Sequence, residues 1–376
     1  MVRNRAGADV PVRAGGFGSA LAVDAAGKRF YLLTDRGPNV DGALADSKIF
    51  PIPDYTPRIG EFRIEGEELV RARVIQLTRN DGSPVSGLPT PAGPGATGET
   101  ALALDGTVIA ARDGGMDAEG LAVLRDGSFW VAEEYGPTLV HFDRTGREIE
   151  RIGTADEGGL PAVLARRRPN YGIEALAAMP SGRLVAVLQS PLDNPRESGR
   201  ASRAVRLLVI DPASRSSRQL VYELDDPSYM VSAVAAVSDD EVLVVERDDL
   251  FPGDPERPSR QKRVYRVSRS GATDVSEAAN DASGRRWNGK TLEALSDAER
   301  REAAIVPVGK ELAADLLALG YPHDKPEGIA YLGDDRVAIS NDDDFGVVDG
   351  AGGIVPKRLP VTDAVDENEV WIIRLR

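Results

Sequence analysis

The sequence predicts an all-β fold, a β-propeller, from three observations: a hairpin register that recurs five times, spacings between copies that match propeller blades, and a turn-rich composition. The register is a small or acidic residue, an apolar run, a turn eight residues on, and a second apolar run ending in a polar residue. It reads Ser19-Ala-Leu-Ala-Val…Gly27…Tyr31-Leu-Leu-Thr-Asp35, then Glu119-Gly-Leu-Ala-Val…Gly127…Trp130-Val-Ala-Glu-Glu134, then Glu174-Ala-Leu-Ala-Ala…Gly182…Val185-Ala-Val-Leu-Gln189. The last two copies are Ser232-Ala-Val-Ala-Ala…Asp240…Leu243-Val-Val-Glu-Arg247 and Glu327-Gly-Ile-Ala-Tyr…Asp335…Ala338-Ile-Ser-Asn-Asp342. First and last residues are fifteen apart in four copies and sixteen in one.

Copy starts lie 100, 55, 58 and 95 residues apart. A strand-built unit recurring every roughly 40 to 50 residues is the signature of a blade, which cannot bury its faces alone. Further strands follow each hairpin: 59–64 and 69–77, 139–143 and 148–152, 205–211 and 219–224, 263–267 and 273–276. After the fifth hairpin only Glu369 to Leu375 remains, so its fourth strand is expected from the N-terminus, at Val10 to Ala14. The count is five blades, with six left open, in one domain over 1–376.

Two insertions interrupt the repeat. In the first, 79–116, Arg79 to Gly98 is too rich in Gly and Pro for a helix or central strand, and Thr100 to Arg112 reads as a short hairpin, a candidate sixth-blade remnant. The second, 280–323, reads as helical near 291–320. Ser296-Asp-Ala-Glu299 is a capping-box pattern, Pro307 interrupts, and Leu312, Leu316 and Leu319 share one face of an expected second helix ending at Gly320.

The 39 glycines and 25 prolines, with 41% apolar residues, suit a folded, turn-rich β protein. A net charge of −14 repels nucleic acid and anionic membranes, so no nucleic-acid partner is expected. No run approaches 18 apolar residues, so no membrane span is expected, and no apolar signal core follows Met1-Val-Arg-Asn-Arg5. The absence of cysteine excludes disulfides, thiol nucleophiles and thiolate metal sites. A propeller's short, protected edges make a monomer the default.

Antiparallel pairing sets the start of each first strand beside the end of the second, so all ten register ends should surround one channel mouth. Six are carboxylates: Asp35, Glu119, Glu134, Glu174, Glu327 and Asp342, with Asp117, Glu133, Glu246, Asp248, Asp249, Asp343 and Asp344 beside them. Like charges gathered so closely need protons or a cation. Oxygen donors without cysteine, and with two histidines in the chain, favour Ca²⁺, with Asp35, Glu119, Glu134, Glu174, Glu327 and Asp342 as its expected ligands. Arg36, Arg247 and Lys325 could hold a phosphate or carboxylate oxygen beside it. Glu134 and His323 are the acid–base candidates, whereas His141, mid-strand, is expected to be structural. Ser19 and Ser232 complete the ring without charge. No Gly-x-Ser-x-Gly elbow, P-loop, His-Glu-x-x-His or Rossmann glycine run occurs, so the chemistry these residues permit is attack on an ester by a metal-bound or carboxylate-activated water.

The chain resembles the phytase-like domain family, described as "esterase-like activity of phytase". The resemblance runs through Gly15-Gly16…Leu-Thr-Asp35-Arg-Gly, Asp117-Ala-Glu-Gly-Leu-Ala…Phe-Trp-Val-Ala-Glu-Glu-Tyr-Gly-Pro137 and Tyr171-Gly-Ile-Glu-Ala-Leu…Leu-Gln-Ser-Pro191. It continues through Glu246-Arg-Asp248 and Lys325-Pro-Glu-Gly-Ile-Ala…Asn341-Asp-Asp-Asp-Phe-Gly346. The chain departs at Phe17-Gly-Ser-Ala, where a Ser-Gly-Leu-type segment is more usual. The resemblance implies a secreted or periplasmic propeller that hydrolyses a small-molecule ester or phosphoester. A lactonase or gluconolactonase-like enzyme and a non-catalytic ligand- or protein-binding propeller are the competing expectations.

Overall fold

A computed structural model describes residues 1–13, 15–92, 96–154, 159–277, 279–350 and 353–376. The five hairpins each open an antiparallel sheet. Four sheets have four strands: Ala20–Val23, Phe30–Leu33, Arg58–Glu65 and Glu68–Gln76; then Ala118–Val123, Phe129–Glu133, Thr138–Phe142 and Glu148–Ile152; then Ile173–Ala178, Leu184–Leu188, Ala204–Asp211 and Ser216–Glu223; then Met230–Ala236, Glu241–Arg247, Lys262–Ser268 and Gly309–Asp315. The fifth has three: Pro326–Gly333, Arg336–Asn341 and Val370–Arg374.

The first strand of each sheet touches the first strand of the next, and the fifth touches the first, so the ring closes in an all-β propeller. The second strand of each sheet is covered on both faces, which is why Leu184–Leu188 is a continuous buried apolar run and not an alternating one. Large side chains fill the wedges between sheets. Tyr31 meets Phe129 edge-on at 5.3 Å between the first and second, and Phe17, Leu21 and Ala330 close the gap between the fifth and first. Near the axis the strands need small residues. A Cβ on Gly120 would stand 2.8 Å from Leu176 Cβ of the next sheet, and one on Gly328 would stand 2.6 Å from Leu21 Cβ.

Three expectations are corrected. The fourth strand of the fourth sheet is Gly309–Asp315, paired with Lys262–Ser268, and not Thr273 to Ser276, whose Val275 N–H bonds to Gln219 on the edge of the third sheet. That strand takes the chain in which a second helix was expected, so Leu312 and Leu319 are exposed while Leu316 is buried. The capping box does form, with Ser296 and Glu299 exchanging hydrogen bonds, but its helix is confined to Asp297–Glu302, preceded by a 3₁₀ turn at Leu292–Ala294. Val10 pairs with Val2 and not with the fifth sheet, while Ala14 lies outside the described residues. The short hairpin expected within Thr100 to Arg112 does form, through the Leu102–Val108 bridge and the bonds Ala103 N–H to Thr107 O and Ile109 N–H to Ala101 O, each 2.8 Å, and its first arm, Thr100–Leu102, also pairs parallel with Ser47–Ile49 in a small sheet with Val40–Asp41.

Candidate active site

In four of the five sheets the first residue of the register is the extra residue of a β-bulge. Ala118 pairs with Glu133 and Gly120 with Ala132, leaving Glu119 unopposed, and the same shift isolates Glu174, Ser232 and Glu327. A bulge re-aims its extra side chain and twists the strand, so the repeat encodes a residue delivered at the end of the channel.

Asp35, Glu119, Glu134, Glu174, Gln189, Arg247, Glu327 and Asp342 all line one cavity of about 310 Å³. Ser232 lies deeper, its Oγ donating to the Pro326 carbonyl at 2.6 Å, and Ser19 is buried outside the cavity wall. Ten carboxylates and four cations line the space, so its excess charge is negative. Asp117 and Asp344 join the repeat carboxylates. The other acidic neighbours turn away: Glu133 accepts from Tyr135 N and Gly136 N, each at 2.9 Å, Glu246 binds Tyr222, Gln261 and Lys310, Asp248 binds Lys262 and Ser259, Asp343 caps Phe345 N, and Asp249 is exposed.

The three inner cations are already paired. Arg36 Nη1 donates to Glu99 Oε2 at 2.9 Å, and its Nε lies 3.3 Å from Asp117 Oδ2. Arg247 Nη2 donates to Glu327 Oε1, and Lys325 Nζ sits 2.7 Å from Asp344 Oδ1 and 3.5 Å from Asp342 Oδ2. Burial opposes the charge on Arg36 and Lys325, but their carboxylate neighbours outweigh it and hold both pKa values well above the ordinary ones.

The cations are too few to offset the remaining carboxylates. Burial first, and neighbouring carboxylates second, push Asp35, Glu119, Glu134 and Asp342 well above the usual range, and Glu174 up to about 8. Burial also acts on Asp344, but Lys325 and Lys357 overcome it and hold that group well below. Glu134 Oε1 and Glu174 Oε2 are buried without a hydrogen-bond partner among the described residues.

Among the described residues, one group of oxygens comes close enough to share an ion. Asp35, Asp117 and Glu119 each offer a carboxylate oxygen, all within 4.8 Å of one another. Oxygens on a common Ca²⁺, at about 2.3–2.6 Å from it, are separated by up to about 5 Å, so the set fits a hard cation. Asp117 was legible as an acidic neighbour but not as a member of this group. Its signal is the Asp117-Ala-Glu119 spacing, two residues ahead of the register position, the same offset at which Lys325 precedes Glu327.

His323 is not brought to the cavity wall. It is buried, with Nδ1 2.6 Å from Asp366 Oδ1 and Nε2 3.3 Å from Glu369 Oε2. Burial lowers its pKa, but the two carboxylates outweigh this and raise it; with both ring nitrogens engaged away from the cavity, the residue is not placed to act as the general base. His141 is structural as expected, stacked on Trp130 at 4.6 Å. Sequence reasoning also missed Lys357, which is buried against Asp324, Asp344 and Asp366 at 2.9, 2.7 and 3.3 Å and braces the outer wall of the site.

A model of the phytase-like family, described as "esterase-like activity of phytase", matches residues 12–345. The chain belongs to this family. An uncharacterized secreted protein of Arthroderma benhamiae is 28% identical over 189 residues, 43% of this chain, and the match spans 36% of that protein's length. A PQQ-bound aldose sugar dehydrogenase from Streptomyces coelicolor is 10% identical, with 98% of this chain and 97% of that one covered at a TM-score of 0.38. A protein from Lactobacillus plantarum is 13% identical, with 95% and 88% covered at a TM-score of 0.37. No helix among the described residues is long and apolar enough to cross a membrane.

Proposed function

We propose that this phytase-like protein is a divalent-cation-dependent hydrolase that cleaves a phosphoester or other ester at the mouth of a five-bladed propeller, with Ca²⁺ as the cation. The observation that carries the reading is the convergence of Asp35, Asp117 and Glu119 oxygens within 4.8 Å, in a cavity where Glu134 and Glu174 keep unpartnered oxygens. A hard, all-oxygen donor set with excess negative charge favours Ca²⁺ over softer ions.

The proposed ligands are Asp35, Asp117 and Glu119, with Glu174 completing the set. Glu327 and Asp342 are engaged by Arg247 and Lys325, and in this reading they hold those cations at the rim. When bound, the cation would polarise the ester oxygen and lower the pKa of a coordinated water. Glu134 has a raised proton affinity and a free oxygen, which suits it to take a proton from water or give one to the leaving oxygen. Arg36, which also pairs with Asp117, sets positive charge around the reacting oxygens together with Arg247 and Lys325.

A secreted or periplasmic location and a monomeric state belong to the same reading, the first supported by the secreted relative. Hydrolysis of p-nitrophenyl phosphate, p-nitrophenyl acetate and a lactone, each with Ca²⁺ and with EDTA, tests it. Cation-dependent turnover of one ester is the expected result. Turnover of the lactone alone points to a lactonase, and turnover of none leaves a binding propeller.

A further inference from the structure

Beside the carboxylate cavity lies a larger one of about 470 Å³ that shares Asp41, Lys48 and Asn170 with it. It is built by residues outside the repeat: the small sheet at 40–49, the segment at Thr97 to Glu99, and Pro169-Asn170. Glu99 is its most telling wall. The side chain is 9% exposed, and one oxygen accepts from Arg36 at 2.9 Å while Oε1 has no hydrogen-bond partner among the described residues. A buried carboxylate oxygen left without a donor costs free energy unless something supplies one.

The other walls narrow what that donor is. Lys48 Nζ is paired with Asp41 at 2.5 Å and Glu99 with Arg36, while the exposed Asp46 adds a carboxylate with no ion-pair partner among the described residues, so the walls disfavour an anionic occupant and offer acceptors to hydroxyl donors. Leu44, which is exposed, and Pro169 offer apolar surface beside these polar groups. Alternating polar and apolar walls suit a neutral, hydroxyl-bearing group, whose hydroxyls both donate and accept while its C–H surface packs on carbon.

We infer that this second cavity is a subsite for a polyhydroxylated group, with Glu99 Oε1 accepting a hydroxyl hydrogen bond. Its continuity with the carboxylate cavity makes it the seat of the substrate's non-reacting half; that assignment alone rests on the hydrolase reading.

The test is ligand-detected NMR titration of the EDTA-treated protein with D-sorbitol and D-glucose, with cyclohexanol as the single-hydroxyl control. The two polyols should bind saturably and cyclohexanol at least tenfold more weakly. Glu99→Ala should weaken polyol binding about tenfold, as removing a charge-assisted hydrogen bond does. Leu44→Asp, at an exposed position with little bearing on folding, should weaken it severalfold and serves if Glu99→Ala does not fold. Equal binding of cyclohexanol, no polyol binding, or unchanged affinity in the folded variants overturns the subsite. Because no turnover is measured, polyol binding without ester hydrolysis sinks the hydrolase reading and leaves the subsite standing. Ester hydrolysis with no polyol binding does the reverse.

Discussion

Arg247 and Glu327 form a buried ion pair that ties the second strand of the fourth sheet to the bulge on the first strand of the fifth, 80 residues on. Burial opposes the arginine's charge, but Glu327 and then Glu174 outweigh it and raise its pKa. Removing one member of such a pair strands the other without compensation. Arg247→Ala should therefore cost ~3–5 kcal/mol in denaturant unfolding. A loss below about 1 kcal/mol would contradict a desolvated pair.

The carboxylate cluster predicts an unusual pH dependence. Glu174 keeps its proton in the folded state up to about 8, and Asp35, Glu119, Glu134 and Asp342 are shifted the same way, whereas in the unfolded chain these groups ionise near ordinary values. Between those limits the folded state binds more protons, so stability falls as pH rises. In EDTA, Tm should drop from pH 5 to pH 8. Ca²⁺ should restore it, and the gain should be larger at pH 8 than at pH 5. A Ca²⁺ effect that is equal at both pH values contradicts this.

His323 adds a second, separable contribution. Its folded pKa lies above 6.5, so the stability from its contacts with Asp366 and Glu369 is fully present below 6.5 and is lost as pH rises through the folded value. His323→Gln should destabilise by ~1–3 kcal/mol below pH 6.5. The wild-type advantage over the variant should shrink as pH rises, as followed by unfolding at a series of pH values. A constant difference across that range would show that the histidine is held neutral.

The hairpin register was legible because its turn and end spacings are local, and two strands joined by a short turn must pair with each other. Their shared mouth followed from antiparallel geometry, and eight of the ten register ends do line one cavity. The bulges at Glu119, Glu174, Ser232 and Glu327 were not legible, because an extra residue shows only against the partner strand. Non-local pairing hid the outer strand of the fourth sheet as well. Gly309–Asp315 returns to Lys262–Ser268 after some 40 residues, and its leucines mimic a helical face until the partner strand overrides that pattern. Glu99 and the second cavity lie in segments outside the repeat, whose meeting point no local spacing encodes.

The proposed cation site is tested most directly by isothermal titration of Ca²⁺ into EDTA-stripped protein, wild type against Glu119→Gln. Saturable binding is expected in the wild type, weakened at least tenfold in Glu119→Gln, while the variant's cation-free Tm is equal to or above that of wild type because one carboxylate has left a crowded cluster. No binding heat, with Tm unmoved by Ca²⁺, would contradict a metal at Asp35, Asp117 and Glu119 and the hydrolytic chemistry proposed to depend on it.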